Sequence, residues 1–401
     1  MAKQKKENGE IKFSDKDDMK PHSEAKVALY GEYLKKYLAI LSNAKFTSKL
    51  NIYDVFCGTG IYKNGKFGSP VRAFKAIQES RNFLIKNNLK VTPISLNIND
   101  GNPKSVDKVS LYLTQLNKED RCCDLQITNL DASDAFKNII AQLSSKSSRE
   151  RSLIFIDPTG YKVIHRENLL TLLKLNTEVV LFLPVSFMYR FKEVVQKDYN
   201  KAAYVHLRRF LYEFFDESHP IRQEKEMDVF EFINHLEEAL RFENTFYTTS
   251  FFLQRNTNNY YALFFITSNI LGLQRIIDAK WEIDPEQGRG FVYEADAIPS
   301  QLPLFPEIKP PFFKLRMEEL ERKITLYISN NQNCTNCDLY QFVLTEGFRT
   351  PHANQVIKKL RQEPKIQVID LETNKEVRGH GTYLDYDHFK NKHQRVAFKM
   401  L

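Results

Sequence analysis

Residues 50–70 read LNIYDVFCGTGIYKNGKFGSP, and an apolar run, an acid, glycines and turn-formers follow one another there in an order that decides the fold. Asn51 to Phe56 alternates β-branched and aromatic residues as a buried strand does, and Cys57-Gly58-Thr59-Gly60 interrupts it at once. Two glycines two positions apart let the backbone turn tightly and approach a ligand that a Cβ would repel. That is the logic of a nucleotide loop at the carboxyl end of a parallel strand. The dinucleotide fingerprint is incomplete, because Lys63 stands where the third glycine of GxGxxG belongs. Asp54 ahead of the turn and Gly65-Lys66-Phe67-Gly68-Ser69-Pro70 behind it sharpen the reading.

On the amino-terminal side, Ala25 to Leu41 repeats apolar residues at three and four, which predicts a helix with one buried face, capped by Ser23. His22 and Lys26 fall near its start, as a solvated end or as groups facing a ligand. Beyond the loop, Pro70 opens a second helix with Val71, Phe74, Ile77 and Phe83 inward. A strand over 91–98 ends at Asp100, where doubly wound sheets place the acid that reaches a cofactor's ribose; the alternative is an Asp-Gly turn. A helix over 106–116 and a strand over 125–130 come next. The strand ends at Asp131, placed to take an adenine amine or to cap the next helix. The strand 152–156 runs into Asp157-Pro158-Thr159-Gly160-Tyr161. A carboxylate, a proline carbonyl and an aromatic face together can grip a planar base that carries an amine, the alternative being an Asx turn.

Val179 to Pro184 reads as a further strand, and residues 186–244 as a helical insertion rich in aromatics, with Arg190, Lys192, Lys201, Arg208 and Arg209 suited to phosphates or to a solvated face. Runs 245–254 and 259–267 predict an antiparallel hairpin, 271–281 a helix, and 284–290 an exit from the domain. A proline-rich linker at 299–312 then precedes helices over 315–328, from Asn336 as cap to Leu344, and from Thr350. Extended runs at 366–371 and 381–386 close the chain. Three helices and a hairpin predict a winged helix over 313–401. Arg349, His352, Asn354, Gln355, Lys358, Lys359 and Arg361 would lie on its recognition helix and Arg378 in its wing, facing nucleic acid, DNA or RNA. Winged helices also dock proteins.

A chain of 401 residues with 42% hydrophobic content is long enough for two cores. Its net charge of +8 permits nucleic-acid binding without requiring it. No run of roughly eighteen apolar residues is present, and residues 1–20 are polar, flexible and too charged for a secretory signal, so the expectation is a cytoplasmic protein without a membrane. Five cysteines make no disulfide framework. Cys334-Thr335-Asn336-Cys337 lacks a second pair at zinc spacing, and no metal is expected.

Strand-Asp-x-Phe-x-Gly-x-Gly resembles the first motif of S-adenosylmethionine (SAM) methyltransferases, and Asp157-Pro158-Thr159-Gly160-Tyr161 resembles the Asp-Pro-Pro-Tyr motif of amino-methyltransferases, with Thr159 for the second proline and Gly160 added. Together with the helix around Lys26, YYALFFITSNILGLQRIIDAKW and QLPLF, they resemble the three-Cys-motif partner proteins. The resemblance implies a Rossmann-like class I methyltransferase fold over 21–298, its parallel sheet closed by the antiparallel hairpin, followed by the winged helix. It further implies a SAM site at Lys26, Asp54, Phe56, Gly58, Gly60, Asp100 and Asp131, chemistry at Asp157, Pro158 and Tyr161, and a radical SAM three-Cys-motif protein as partner. Two functions fit: methyl transfer to nucleic acid, or a non-catalytic nucleic-acid or protein-binding adaptor that keeps the cofactor fold.

Overall fold

In the computed structural model, which describes residues 18–42, 44–197, 204–223, 226–256, 259–292, 312–377 and 381–401, Pro21–Leu41 forms helix α1. Proline at the first helical position has its φ already set for a helix, so α1 begins there. Ser23 therefore lies inside the helix, where its hydroxyl meets His22 Nε2 at 3.3 Å instead of capping. The chain continues through β1 (Lys49–Asp54), α2 (Ser69–Lys86), β2 (Ile94–Asn99), α3 (Pro103–Asp120), β3 (Asp124–Thr128), α4 (Ala132–Ser145) and β4 (Glu150–Ile156). The described residues divide between Pro158 and Thr159 into two compact units, and these elements are the first.

The four strands of the first unit run parallel in the order β3-β2-β1-β4. β1 is central, with Ile52 opposite Leu96 on one side and Leu153 on the other. A parallel strand covered on both faces is mostly apolar, as Leu50, Ile52 and Tyr53 are, while the buried Asn51 and Asp54 are the polar exceptions. α1 packs along α2, and Tyr30 of α1 stacks on Phe155 of β4 with centroids 4.4 Å apart, a contact worth about 1 kcal/mol beyond its buried area. Phe83, expected inward, is exposed; Leu84 takes the buried position near the end of α2.

The second unit carries α5 (Arg166–Lys174), β5 (Thr177–Leu183), α6 (Val185–Phe191), α7 (Val194–Lys197), α8 (Val205–Phe214), α9 (Val229–Ala239), β6 (Tyr247–Asn256), β7 (Asn259–Thr267), α10 (Ile270–Ile283) and β8 (Gly290–Val292). Here β5-β7-β6-β8 is the strand order, with β7 antiparallel to both its neighbours and β8 parallel to β6. The expected hairpin is present. The expected exit at 284–290 is not, since the chain turns on Asp284, whose carboxylate accepts the N–H groups of Gln287, Arg289 and Gly290, and adds β8 to the sheet edge.

The same unit continues with α11 (Phe312–Asn330), β9 (Cys334–Thr335), α12 (Asn336–Thr345), α13 (Thr350–Gln362), β10 (Ile366–Asp370), β11 (Lys375–Glu376), α14 (Tyr386–Lys390) and β12 (Val396–Met400), the strands ordered β11-β10-β12-β9. Residues 381–386 are not the second strand. Tyr383 sits at φ 51° and Asp385 caps α14, which breaks the extended run and leaves β12 as the long partner of β10. Residues 299–311 of the expected linker lie outside the described residues. The helices beyond α11 are tied to α10: Trp281 Nε1 donates to Gly347 O (3.0 Å), Tyr340 Oη to Gln274 (2.8 Å) and Arg349 to Asp278 (3.1 Å). Among the described residues, no helix is long and apolar enough to cross a membrane.

Asn336 does not cap α12; Thr335 does, in a reciprocal box with Asp338. Asn336 is instead fully buried, donating to the carbonyls of Tyr383 and His393 (both 3.1 Å) and accepting from the N–H groups of Arg395 and Val396 (2.8 and 3.3 Å). Asn336→Ala strands four backbone groups and should lower stability by roughly 2–4 kcal/mol, read as a shift of the urea midpoint of the full chain. A loss below about 0.5 kcal/mol would mean that the loop 381–395 does not depend on this side chain.

Candidate functional site

The carboxyl ends of β1, β2 and β4 and the start of α1 meet around one buried acid. Asp54, the last residue of β1, is 1% exposed, and neither of its carboxylate oxygens has a hydrogen-bond partner. Burial pushes its carboxyl up to about 7, and the nearby Asp157 adds to the rise. The Ser69 hydroxyl, the Phe56 N–H and the Lys26 ammonium lie close enough to pull it back, though none makes a hydrogen bond of good geometry to it. Directly after β4, Asp157 forms an ion pair through Oδ2 with Lys26 Nζ, so α1 delivers its buried cation to the end of the sheet. Tyr62 joins the group: burial, Asp157 and Asp54 together push its phenol up. Tyr30, packed beneath, has a fully buried hydroxyl without a partner and feels the charge of Asp54.

The glycine turn is built as its sequence requires. Gly58 and Gly60 adopt φ of 58° and 70°, the left-handed region that side chains with a Cβ disfavour. A Cβ on Gly60 would come within 2.7 Å of Val109, whereas one on Gly58 would meet nothing within 4 Å and point into open space. Asp100 braces the turn, its Oδ2 accepting the Gly58 N–H and its Oδ1 the Asn102 N–H, both at 2.8 Å. A carboxylate has about four acceptor positions, so this bracing leaves capacity for hydroxyl donors. Residues 61–67 then fold back as a small hairpin, with Ile61 bridged to Phe67, and Gly68 N–H donating to Gly60 O at 2.8 Å sets the start of α2. Lys63 occupies the exposed tip, which is why the third glycine is dispensable. The hairpin is pinned to α1 by the Lys66–Glu24 pair and by Asn64, which exchanges hydrogen bonds with the backbone of Met19.

Asn99 was invisible as a functional residue. It is 5% exposed, donates to Val55 O and Leu130 O, and accepts from Leu130 N–H and the Thr128 hydroxyl, locking the ends of β1, β2 and β3 together. An amide immediately ahead of the strand-end acid was the available signal. Asp131 is exposed and caps α4 through Asp134 N–H at 3.0 Å. Phe56 is half-buried beside the turn, and Pro158 is buried after Asp157. Burial drives the Cys57 thiol well above its ordinary range, which makes it a filler and not a nucleophile.

In the second unit, Tyr161 does not offer a free face to a base. It is 6% exposed, donates to Pro184 O at 2.6 Å and packs on Phe187 and Phe210. Arg209 fixes that turn by donating to the carbonyls of Tyr161, Lys162 and Ile164, and Arg208 donates to Val195 O. These insertion arginines hold the protein's own carbonyls; Lys201 lies outside the described residues.

On α13, His352 is caged by Trp281 (centroids 4.3 Å apart) and Phe313 (5.7 Å). Burial and the neighbouring Arg349 and Arg316 push its imidazole down to about 4, so it is a neutral core residue and not a surface reader. Lys359 pairs with Glu321, Arg349 with Asp278, and Arg361 donates to Val377 O. Asn354 accepts from the Thr382 hydroxyl. Gln355 and Lys358 are exposed; Arg378 lies outside the described residues. Among the described residues no cluster of three or more His, Cys, Asp or Glu side chains is placed to hold a metal.

No family model matches the chain, and no curated protein matches it. Among solved structures it is similar to the O-methyltransferase TomG from Streptomyces achromogenes, involved in tomaymycin synthesis, in complex with SAM, at 12% identity and a TM-score of 0.33, over 62% of this chain and 91% of that one. It is similar also to the O-methyltransferase from Bacillus cereus in complex with SAH, at 12% identity and 0.30 over 63% and 83%. A third is magnesium protoporphyrin IX methyltransferase (ChlM) from Synechocystis PCC 6803 with bound SAH, at 11% identity and 0.29 over 65% and 90%. Scores this low carry no conclusion about chemistry, which rests on the residues of the site.

Proposed function

We propose that the first unit binds SAM and that the chain is a methyltransferase-like protein working on nucleic acid. The observation that carries the cofactor reading is Asp54, a buried carboxylate without a hydrogen-bond partner beside a left-handed glycine turn whose Gly58 leaves an open space where a Cβ would stand. An ammonium-bearing methionine end is the ligand chemistry such an acid lacks. Asp54 with Gly58 and Gly60 would hold that end, Asp100 the ribose hydroxyls and Asp131 the adenine amine. When bound, SAM supplies an electrophilic methyl group. Asp157 and the Pro158 carbonyl would orient an amine of the acceptor base, with Lys26 fixing the position of the Asp157 carboxylate through their pair.

The adaptor reading is favoured by that same pair, since Lys26 occupies the Oδ2 that an acceptor amine would use. For nucleic acid, the support is the order of helices and antiparallel strands from α11 to β12, read as a winged helix, with Gln355 and Lys358 on the exposed side of α13. A radical SAM partner is proposed on the family resemblance alone.

A carboxyl raised to about 7 stays protonated in the folded protein while the unfolded chain ionises near 4, so its contribution to stability is present at acidic pH and lost as pH rises through 7. Asp54→Asn should therefore gain melting temperature on wild type between about pH 4 and pH 7, with a constant difference above that. Binding of a cation must ionise Asp54, so SAM affinity should rise with pH up to neutrality, with proton release seen in calorimetry as a dependence of heat on the buffer. Asp54→Asn should bind at least tenfold more weakly and release no proton, about 1.4 kcal/mol or more. Wild type that binds SAM with no proton exchange would remove Asp54 from the site.

Gly58→Asn tests the open space, because Asn tolerates left-handed backbone. The variant should keep its fold at a cost of about 1 kcal/mol and lose SAM binding; unchanged affinity would place the cofactor elsewhere. For the nucleic-acid reading, Lys358→Glu should weaken binding to a mixed DNA and RNA pool and lower its salt slope by about one. Wild type without salt-dependent binding would leave the adaptor reading in its protein-docking form.

A further inference from the structure

The second unit contains a cleft of about 400 Å³ between α9, β6, α10, the Asp284 turn and α11. Its floor is cationic and its rim acidic. Lys280 of α10 is 4% exposed, and its ammonium donates to Thr249 Oγ at 2.7 Å, the one hydrogen bond it makes among the described residues although it carries three donors. Arg316 of α11 is 5% exposed, stacked on Phe348 at 4.2 Å and donating to Gln287 O. Arg289 completes the group, held by the Asp284 turn at its backbone and by Glu319 at its guanidinium (3.0 and 3.1 Å). One carboxylate, Glu319, thus serves both Arg289 and Arg316, while Lys323 is shared between Glu319 and Glu346 of the cleft wall. Glu237, whose charge acts on Lys280, spends one oxygen on Ser250 N–H at 2.7 Å, while Asp228, Glu231 and Glu238 stand exposed in water at the rim.

Burying an ammonium beside a hydroxyl is unfavourable unless an anion completes its shell. We propose that this cleft binds a small phosphorylated ligand whose phosphate sits on Lys280, Arg289 and Arg316. Three cations brought from α10, α11 and a braced turn suit a dianion with three oxygens, where a carboxylate needs a single fork. At the mouth, Phe230 is 46% exposed and packs on Phe252 with centroids 5.0 Å apart, offering apolar surface to the organic part of the ligand. The rim acids would accept its hydroxyls. Neither the SAM reading nor the nucleic-acid reading uses any of these residues.

The groups facing Lys280 are Thr249, Glu237, Arg316, Arg289 and Asp284. Burial, with the two arginines, brings its ammonium down to about 8, so phosphate affinity should fall as pH rises through 8. The test is calorimetry of the full chain with inorganic phosphate, AMP and acetate at constant ionic strength. Saturable heat is expected from AMP or phosphate and none from acetate. AMP tighter than phosphate would assign an ester, and equal affinities free phosphate. Lys280→Met should weaken binding at least tenfold and leave SAM binding unchanged; should it fail to fold, Arg289→Gln, at a side chain 44% exposed, should do the same. No saturable heat from either phosphate probe up to about 1 mM, or binding indifferent to both substitutions, overturns the proposal.

Discussion

A carboxylate buried at the end of a central parallel strand without a hydrogen bond of good geometry is the constraint around which the first unit is arranged. Leaving such a group ionised in an apolar setting is costly, so burial pushes the Asp54 carboxyl up to about 7, while one strand over Asp157 is paired with Lys26. That division explains why α1 is part of the unit and not an appendage. Its stack of Tyr30 on Phe155 seats it against β4, the Lys66–Glu24 pair and Asn64 fasten its start to the glycine hairpin, and Lys26 is thereby fixed at the strand ends. A buried ion pair adds little net stability but is costly to break on one side, which is a device for position more than for strength.

The backbone around that acid is held by side chains that spend themselves on it. Asn99 satisfies its own amide entirely on the ends of three strands, and Asp100 gives one oxygen to the turn after β1 and the other to the turn after β2. The result is a glycine turn rigid enough to leave Gly58 facing space while Gly60 is closed off by Val109. Preorganisation of this kind lowers the ordering cost of binding, because the loop is already in the conformation a ligand needs.

Much of this was legible in the residues. The strand, the acid, the two left-handed glycines and the helix starting at Ser69-Pro70 follow from period, turn chemistry and capping alone, and so do the hairpin of β6 and β7 and the helix α13 that begins at Thr350. The use to which polar side chains are put was not legible. His352 and Tyr161 read as surface chemistry, yet one is sealed among Trp281 and Phe313 and the other anchors a turn through Pro184. Arg208, Arg209 and Arg349 read as phosphate ligands but satisfy carbonyls and an acid of their own chain. Local pattern reports which residues can bind a charge; only the tertiary arrangement tells which already do. The strand expected at 381–386 was misplaced for a similar reason, since Tyr383 and Asn336 fix a left-handed turn through contacts 47 residues apart in sequence.

The same reasoning separates the two charged groups that the chain leaves incomplete. Asp54 is an acid without a well-formed hydrogen bond, in a setting that raises its carboxyl to about 7, and it answers to a cation arriving from outside. Lys280 is an ammonium with one neutral acceptor, surrounded by further cations that share a single carboxylate, and it answers to an anion. Folding alone gives no reason to bury either, as a leucine or methionine would fill each place more favourably. Where a buried amide such as Asn99 is fully engaged, an unfinished charge is the feature that packing does not account for, and a ligand of opposite sign accounts for it.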